Sequence, residues 1–467
     1  MDAMTCVIER RQFLASPIAL AGGLAASRPN VLVVLADDLG WRDTGFQGGD
    51  IPTPNIDRIA HEGVRFTRFY CTPLCTPTRA SLMTGRSPMR YGLVYSVVRP
   101  WSHYGLPADE HVMAQTFQAA GYQTAIIGKW HLGHAHKSHL PNRRGFDHFY
   151  GHLNAEIDYY THTEYGGLDW QRNGAGVREE GYTTDLLANE AVRWLGNRDR
   201  GRPFFLYLAF NAVHAPLQAP AQLVEKYAGI PNKSRRLYAA MLDSMDSAIG
   251  KVLSLLDRDQ ISRDTLVLFL SDNGGAPGSG AVNLPLRAGK LTVYEGGIRV
   301  AAAMRWPGHI PVRGEVGQVM AALDVFPTLA AASGLTPGNS KPLDGRNMWA
   351  AISKGDRFER ENLFFAAKRN ETDERYFAVR SGPWKLVQQL SADGPRVDQL
   401  FQLDEDPYEK EDLAARNRDL VMKLGAELDA WRTLHPKCDI QSSMAPHPGW
   451  APPADYAQVA VDYEVRR

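Results

Sequence analysis

Four cysteines, Cys6, Cys71, Cys75 and Cys438, are spread through 467 residues. So few thiols in so long a chain exclude a disulfide scaffold. Neither sign of charge is in excess: 52 Lys and Arg face 52 Asp and Glu. That balance excludes the broad basic footprint of a nucleic-acid binder and the polybasic patch of a membrane-surface protein. Any anion site must therefore be local. No apolar run reaches the ~20 residues of a membrane-spanning helix, and there is no internal repeat or low-complexity block. The 44% hydrophobic and 22% charged content belongs to an ordinary globular chain, long enough for one large domain and a smaller one.

The strongest local pattern is alternation. Asn30–Ala36 (NVLVVLA) is a continuous apolar run suited to a strand buried on both faces. Thr53–Gly63 reads as a helix with Pro54 in its first turn, and Pro107–Gly121 repeats that logic. A short strand is expected over Thr124–Ile127. A helix over Tyr182–Gly196 precedes a strand over Phe204–Phe210, and a helix over Tyr238–Leu256 precedes one over Thr265–Leu270. Helices alternating with apolar strands predict a largely parallel sheet covered on both sides. After about Gly355 come short strand-like pieces at 364–365, 376–379, 384–387 and 399–403, then a polar helix over 413–434. These predict a smaller α+β unit. The expected division is 29–355, 356–436 and an extended tail over 437–467.

Residues 1–26 hold Arg10-Arg11-Gln12-Phe13-Leu14 ahead of an Ala- and Gly-rich apolar stretch. The order of basic, apolar and small residues resembles a twin-arginine export signal. It predicts a periplasmic or secreted protein with no membrane span.

Polar residues follow four of the apolar strands at once: Asp37-Asp38, then Gly128-Lys129-Trp130-His131, then Asn211 with His214, then Asp272-Asn273-Gly274-Gly275. In open α/β sheets ligands bind where parallel strands end, so these clusters are expected to converge. Asp37, Asp38, Asp272 and Asn273 supply hard oxygen ligands of the kind Ca2+ or Mg2+ takes. An Asp pair after a strand caps helices equally well; the matching Asp-Asn-Gly-Gly favours the cation. Arg79, Lys129, His131, His214 and Lys290 are candidates to surround an anion, although a lone Lys or His is more often structural.

Cys75 opens Cys-Thr-Pro-Thr-Arg-Ala-Ser-Leu-Met-Thr-Gly-Arg, ending at Arg86. A cysteine, a first-turn proline and an apolar stretch taken singly fit core packing. The whole string resembles the sulfatase signature, Cys-x-Pro-x-Arg followed by Leu-x-Thr-Gly-Arg, with every fixed position filled. Cys71 also has a proline two residues on, but its fourth position is Cys75 instead of arginine. The Lys290 to Arg299 stretch, Val213-His214-Ala215-Pro216 and Gly-Lys-Trp-His-Leu-Gly match further sulfatase blocks. Pro73-Leu74-Cys75-Thr76-Pro77, Phe146-Asp147, Asp158-Tyr159-Tyr160 and Pro285-Leu286-Arg287 are most similar to the arylsulfatase B branch, which includes N-acetylgalactosamine 4-sulfatases.

The resemblance implies an alkaline-phosphatase-like sandwich with a smaller C-terminal α+β domain bearing an antiparallel sheet. It implies hydrolysis of a sulfated small molecule or sulfated carbohydrate. Cys75 would be oxidised to formylglycine by a formylglycine-generating enzyme. The implied cation ligands are Asp37, Asp38, Cys75, Asp272 and Asn273; the implied catalytic set is Cys75, Arg79, Lys129, His131, His214 and Lys290. Three other readings stay open at this point: a phosphatase or phosphodiesterase of the same superfold, a non-catalytic binder of sulfated glycans, and a structural or thiol-redox protein. The aromatic stretch from Phe149 to Tyr165 is expected either to line a substrate pocket or to pack as an ordinary loop.

Overall fold

A computed structural model describes residues 28–338, 340–368, 374–391, 394–435 and 445–462. The export signal expected over residues 1–26 lies outside the described residues. Among the described residues no helix is long and apolar enough to cross a membrane.

Ten strands form the main sheet, in the spatial order Gly314–Val316, Val64–Phe66, Ala302–Arg305, Thr265–Ser271, Asn30–Ala36, Phe204–Ala209, Gln123–Lys129, His148–His152, Gln171–Arg172 and Ala175–Gly176. The five strands from Thr265–Ser271 to His148–His152 run parallel. Ala302–Arg305 and Gln171–Arg172 are antiparallel to their inner neighbours. The apolar runs explain the centre. In Asn30–Ala36, Val31, Val33 and Leu35 enter one core, while Leu32, Val34 and Ala36 enter the core on the opposite face. Alternate side chains point to opposite faces, so a strand that is apolar from Val31 to Ala36 must be covered twice. The helices Thr183–Gly196 and Lys233–Arg258 cover the second face. The expected sandwich is present.

The smaller sheet is antiparallel, in the order Leu363–Lys368, Arg375–Ser381, Trp384–Leu390, Val397–Gln402. Phe365, Ala378, Val387 and Phe401 pack with Tyr70, Val293 and Ile298 of the large domain. Their neighbours Ala366, Phe377, Leu386 and Leu400 pack against Val421, Leu424, Leu428 and Trp431 of the helix Arg418–Arg432. The small sheet therefore lies between its own helix and the large domain.

Two expected helices are shorter in the structure. Over Pro107–Gly121 only Met113–Ala119 is helical. The Arg144 guanidinium donates to the carbonyls of Pro107 and Glu110, and the Gln115 amide oxygen accepts the Val112 N–H. Both hold the chain in turns before the helix. The C-terminal helix starts at Arg418, after a turn in which Asp412 accepts the N–H groups of Leu400 and Ala414.

One buried ion cluster ties the two sheets together. Lys385, on the small sheet, lies 3.0 Å from Glu295 and 2.7 Å from Glu409, and all three side chains are buried. Glu409 also accepts the Glu295 N–H at 2.7 Å, and the Tyr70 hydroxyl donates to Glu295 at 2.9 Å. Lys385 bridges the two carboxylates out of contact with water, and Arg299 adds a second positive charge 3.7 Å from Glu295. Lys385→Met is therefore expected to lower stability by about 3–5 kcal/mol, the range for breaking a buried ion pair, read as a lower denaturant midpoint.

Candidate active site

Because the central strands are parallel, their carboxyl ends share one edge, and all four polar clusters lie along it. Backbone hydrogen bonds hold them close: Asp37 N–H donates to Ala212 O, Val213 N–H to Asp37 O, and Asp272 N–H to Ala36 O, at 2.8–3.0 Å. Gly274 is needed for a different reason. A Cβ there would stand 1.8 Å from Gly296 O, so only glycine lets the Asp-Asn-Gly-Gly turn reach the Glu-Gly-Gly turn. Gly274 N–H donates to Gly297 O at 3.0 Å.

Cys75 is the first residue of a wholly buried helix, Cys75–Thr84, whose N-terminus opens onto this edge. The helix is closed by Gly85 in the left-handed region, with its N–H on Ser81 O. Cys75 Sγ lies 3.4 Å from Asp37 Oδ1. Arg79, one turn further on, donates through Nε and Nη2 to Asp272 Oδ2 at 3.2 and 2.9 Å, and through Nη1 to Lys129 O. Lys129 Nζ pairs with Asp37 Oδ2, and Lys290 Nζ with Asp38 Oδ2 at 2.8 Å. Asn273 Nδ2 donates to Asp38 Oδ1 at 2.7 Å, while its Oδ1 is buried without a hydrogen-bond partner. His214 Nε2 is 3.6 Å from Asp38 Oδ2, and its Nδ1 donates to Ala215 O at 2.7 Å. Tyr159 steadies this loop: its hydroxyl lies 2.8 Å from the carbonyls of both Asn211 and His214.

Three carboxylates are thus buried together with Arg79, Lys129 and His214, and Lys290 stands half-buried against them. Burial works against ionising Asp37, yet Lys129, His214, Arg79 and Lys290 hold it well below the usual carboxylate range. Asp272 is pushed up to about 7 by burial and the Asp37 charge. Burial, then the carboxylates of Asp272 and Asp37, lift the Cys75 thiol well above its ordinary value. Burial and the Lys290 ammonium lower His214.

Every sequence-expected residue is in or against this cluster. His131 flanks it: Nε2 bonds Val98 O at 3.1 Å, Nδ1 is buried without a partner, and Lys129 and Arg79 are its charged neighbours. Four groups, Asp37, Asp38, Cys75 and His214, place one ligand atom each within 4.8 Å of one another, close enough to hold a metal ion. The sequence places His214 among the anion-surrounding and catalytic candidates and not among the cation ligands, because His-Ala-Pro carries no metal-ligand spacing. Sequence reasoning also passed over His152. It is register partner to Lys129 and is buried beside it and Arg79, with its imidazole held neutral by burial and those two cations. The signal available was its place at the end of a strand. The aromatic stretch divides: Phe149, Tyr150 and Tyr159 are core, while Tyr160 and Tyr165 are exposed.

A family model described as Sulfatase matches residues 29–335, and one described as N-sulphoglucosamine sulphohydrolase, C-terminal, matches residues 289–433. Arylsulfatase J of Mus musculus is 35% identical over 456 residues, covering 86% of this chain and 76% of its own length. Arylsulfatase A of Bos taurus is 37% identical over 396 residues, covering 79% and 76%. The crystal structure of Ps i-CgsB has a TM-score of 0.82 at 35% identity over 88% of this chain and 94% of that one; its complex with k-i-k-neocarrahexaose gives 0.81 at 34% over 88% and 94%. With the motif of Cys75 set in this cage and the family model spanning the whole cage, the chain belongs to the sulfatase family, and so to the sulfuric ester hydrolases.

Proposed function

We propose that the chain hydrolyses sulfate esters of carbohydrates or aryl alcohols to the alcohol and inorganic sulfate. Position 75 is the nucleophile after conversion of Cys75 to formylglycine, and one divalent cation, Ca2+ or Mg2+, sits in the carboxylate cluster. The state of Cys75 carries this reading. It is a buried thiol kept protonated inside a cage of carboxylates and cations. A protonated thiol is a poor nucleophile, so the cage suits a different group at that position.

The donor set fits a hard cation. Asp37, Asp38, Asp272 and Asn273 offer oxygen ligands, and the unpartnered Asn273 Oδ1 is an oxygen without other use. Hard cations prefer oxygen to imidazole, so His214 is reserved for proton transfer. When present, the cation and the hydrated aldehyde supply a Lewis acid and an activated hydroxyl.

The chain's own residues do the rest. Arg79, Lys129 and Lys290 hold the sulfuryl oxygens and offset the charge that grows on them. Asp272 is placed to take the proton of the attacking hydroxyl. The Ala215 carbonyl holds the Nδ1 proton of His214 and aims Nε2 at the site, where the imidazolium, protonated also at Nε2, delivers that second proton to the leaving alcohol. His131 removes the proton in the step that frees sulfate.

Maturation requires a formylglycine-generating enzyme that reads Cys75, Pro77 and Arg79. Residues 29–355 are the catalytic domain and 356–436 the smaller one. Export through residues 1–26 delivers the protein to the periplasm or the medium.

Coexpression with a formylglycine-generating enzyme should yield a Cys75 peptide whose thiol is replaced by an aldehyde, read by mass spectrometry. That protein should turn over sulfate esters and leave phosphate esters largely untouched. Cys75→Ser has one hydroxyl where the hydrated aldehyde has two, and should stop after a single sulfate transfer. Repeated turnover by that variant would sink the assignment. His214→Ala should lose about 10²–10⁴-fold in kcat on a sugar sulfate. Its loss on 4-nitrophenyl sulfate should be smaller, because that phenolate leaves without a proton. Metal analysis should find about one divalent cation per chain, as one oxygen-rich cluster holds, and Asp38→Ala should abolish it.

A further inference from the structure

The segment 445–462, expected as an extended tail, lies against the catalytic edge. Lys137 N–H donates to Val461 O, Val461 N–H to Ala135 O, and Leu168 N–H to Ala454 O, at 2.9–3.1 Å. His447 stacks on His103 with ring centres 5.9 Å apart. Trp450 meets Trp101 at 5.4 Å and Tyr165 at 5.8 Å, and Trp101 meets Tyr165 at 5.5 Å, all edge to face. Three rings from three distant stretches of chain therefore form one cup.

The cup is tied to the site. Val98, three residues before Trp101, donates its N–H to the hydroxyl of Thr76, the residue after Cys75, and its carbonyl bonds His131. Anchoring the tail does not account for all of this aromatic surface. Trp101 is buried, but Tyr165 remains 57% exposed between two indoles, and Trp450 is half-buried. Arg99 and the exposed Glu156 are charged neighbours of Tyr165. Outward aromatic surface flanked by a guanidinium and a carboxylate suits a sugar ring, whose C–H face packs on the rings while its hydroxyls bond the charged groups.

We propose that Tyr165 and Trp450, backed by the buried Trp101, form a platform for the sugar next to the sulfated unit, so that the C-terminal segment completes the substrate site and the substrate is a sulfated oligosaccharide. This rests on the sulfatase reading above and extends it to the substrate class.

The test uses the full-length matured enzyme with carrageenan and chondroitin sulfate oligosaccharides, disaccharide through hexasaccharide, and 4-nitrophenyl sulfate. In at least one series KM should fall as the chain lengthens. Tyr165→Ala and Trp450→Ala should flatten that dependence, raising KM on the longest member about tenfold, as expected for losing an aromatic anchor, with a smaller change in kcat. Trp450→Phe should retain most of the effect, and thermal melting checks that each variant folds. A KM independent of length in both series, or an undiminished dependence in both alanine variants, overturns the platform while leaving the sulfatase reading intact. Calorimetric titration of the hexasaccharides into Cys75→Ala protein measures binding without turnover. A Kd about tenfold weaker with Tyr165→Ala or Trp450→Ala added supports the platform even if the wild type hydrolyses no sulfate ester, which would sink only the reaction. Equal Kd values, or no binding of either series, overturn it.

Discussion

Charge neutrality inside a water-poor site governs this molecule. Asp37, Asp38 and Asp272 would repel one another at the end of a sheet, and burial makes each carboxylate costly. Lys129, Lys290 and Arg79 answer them one for one. The cage is thus close to neutral by itself, and a divalent cation entering with a sulfate ester, which carries one negative charge, would disturb that balance less than the cation alone in a low-dielectric pocket.

Meeting that constraint demands position, and the fold supplies it from several elements. Parallel strands deliver Asp37, Lys129 and Asp272 to one edge. A buried helix sets Cys75 and Arg79 one turn apart. Lys290 comes from a loop, and loops need outside support. Five residues on, that stretch turns at Glu295, which the small sheet holds through Lys385 and the following loop holds through Glu409. The small domain is therefore part of what fixes Lys290 beside Asp38.

The sequence was legible where one physical signal dominated. Asn30–Ala36 and the strand from Thr265 could be read because strands buried on both faces must be apolar throughout. Asp272 and Lys129 could be placed because a parallel sheet sends all its carboxyl ends to one edge. Legibility failed where the deciding partner lies far along the chain. Arg144 shortens the helix expected from Pro107, and nothing near Pro107 announces it. Lys385 reads as an ordinary strand lysine until folding brings it to Glu295. Trp450 sits in a proline-rich stretch without periodicity, and its role emerges only once it meets Trp101. His214 lies among the carboxylates because a loop 176 residues after Asp38 folds back over them, a closure no local pattern records.

The burial of Cys75–Thr84 sets an order of events in the cell. Thr76, Pro77, Thr78 and Arg79 are sealed within a helix, and Cys75 itself is 2% exposed. An enzyme that reads Cys75, Pro77 and Arg79 along an extended chain cannot reach them after folding. If Cys75 is converted to the aldehyde proposed above, the conversion would have to precede the docking of this helix. A twin-arginine route carries proteins already folded, so a chain leaving that way must have received its chemistry in the cytoplasm. On that reading folding would act as a deadline: a molecule that closes too early would be well packed yet would keep its thiol.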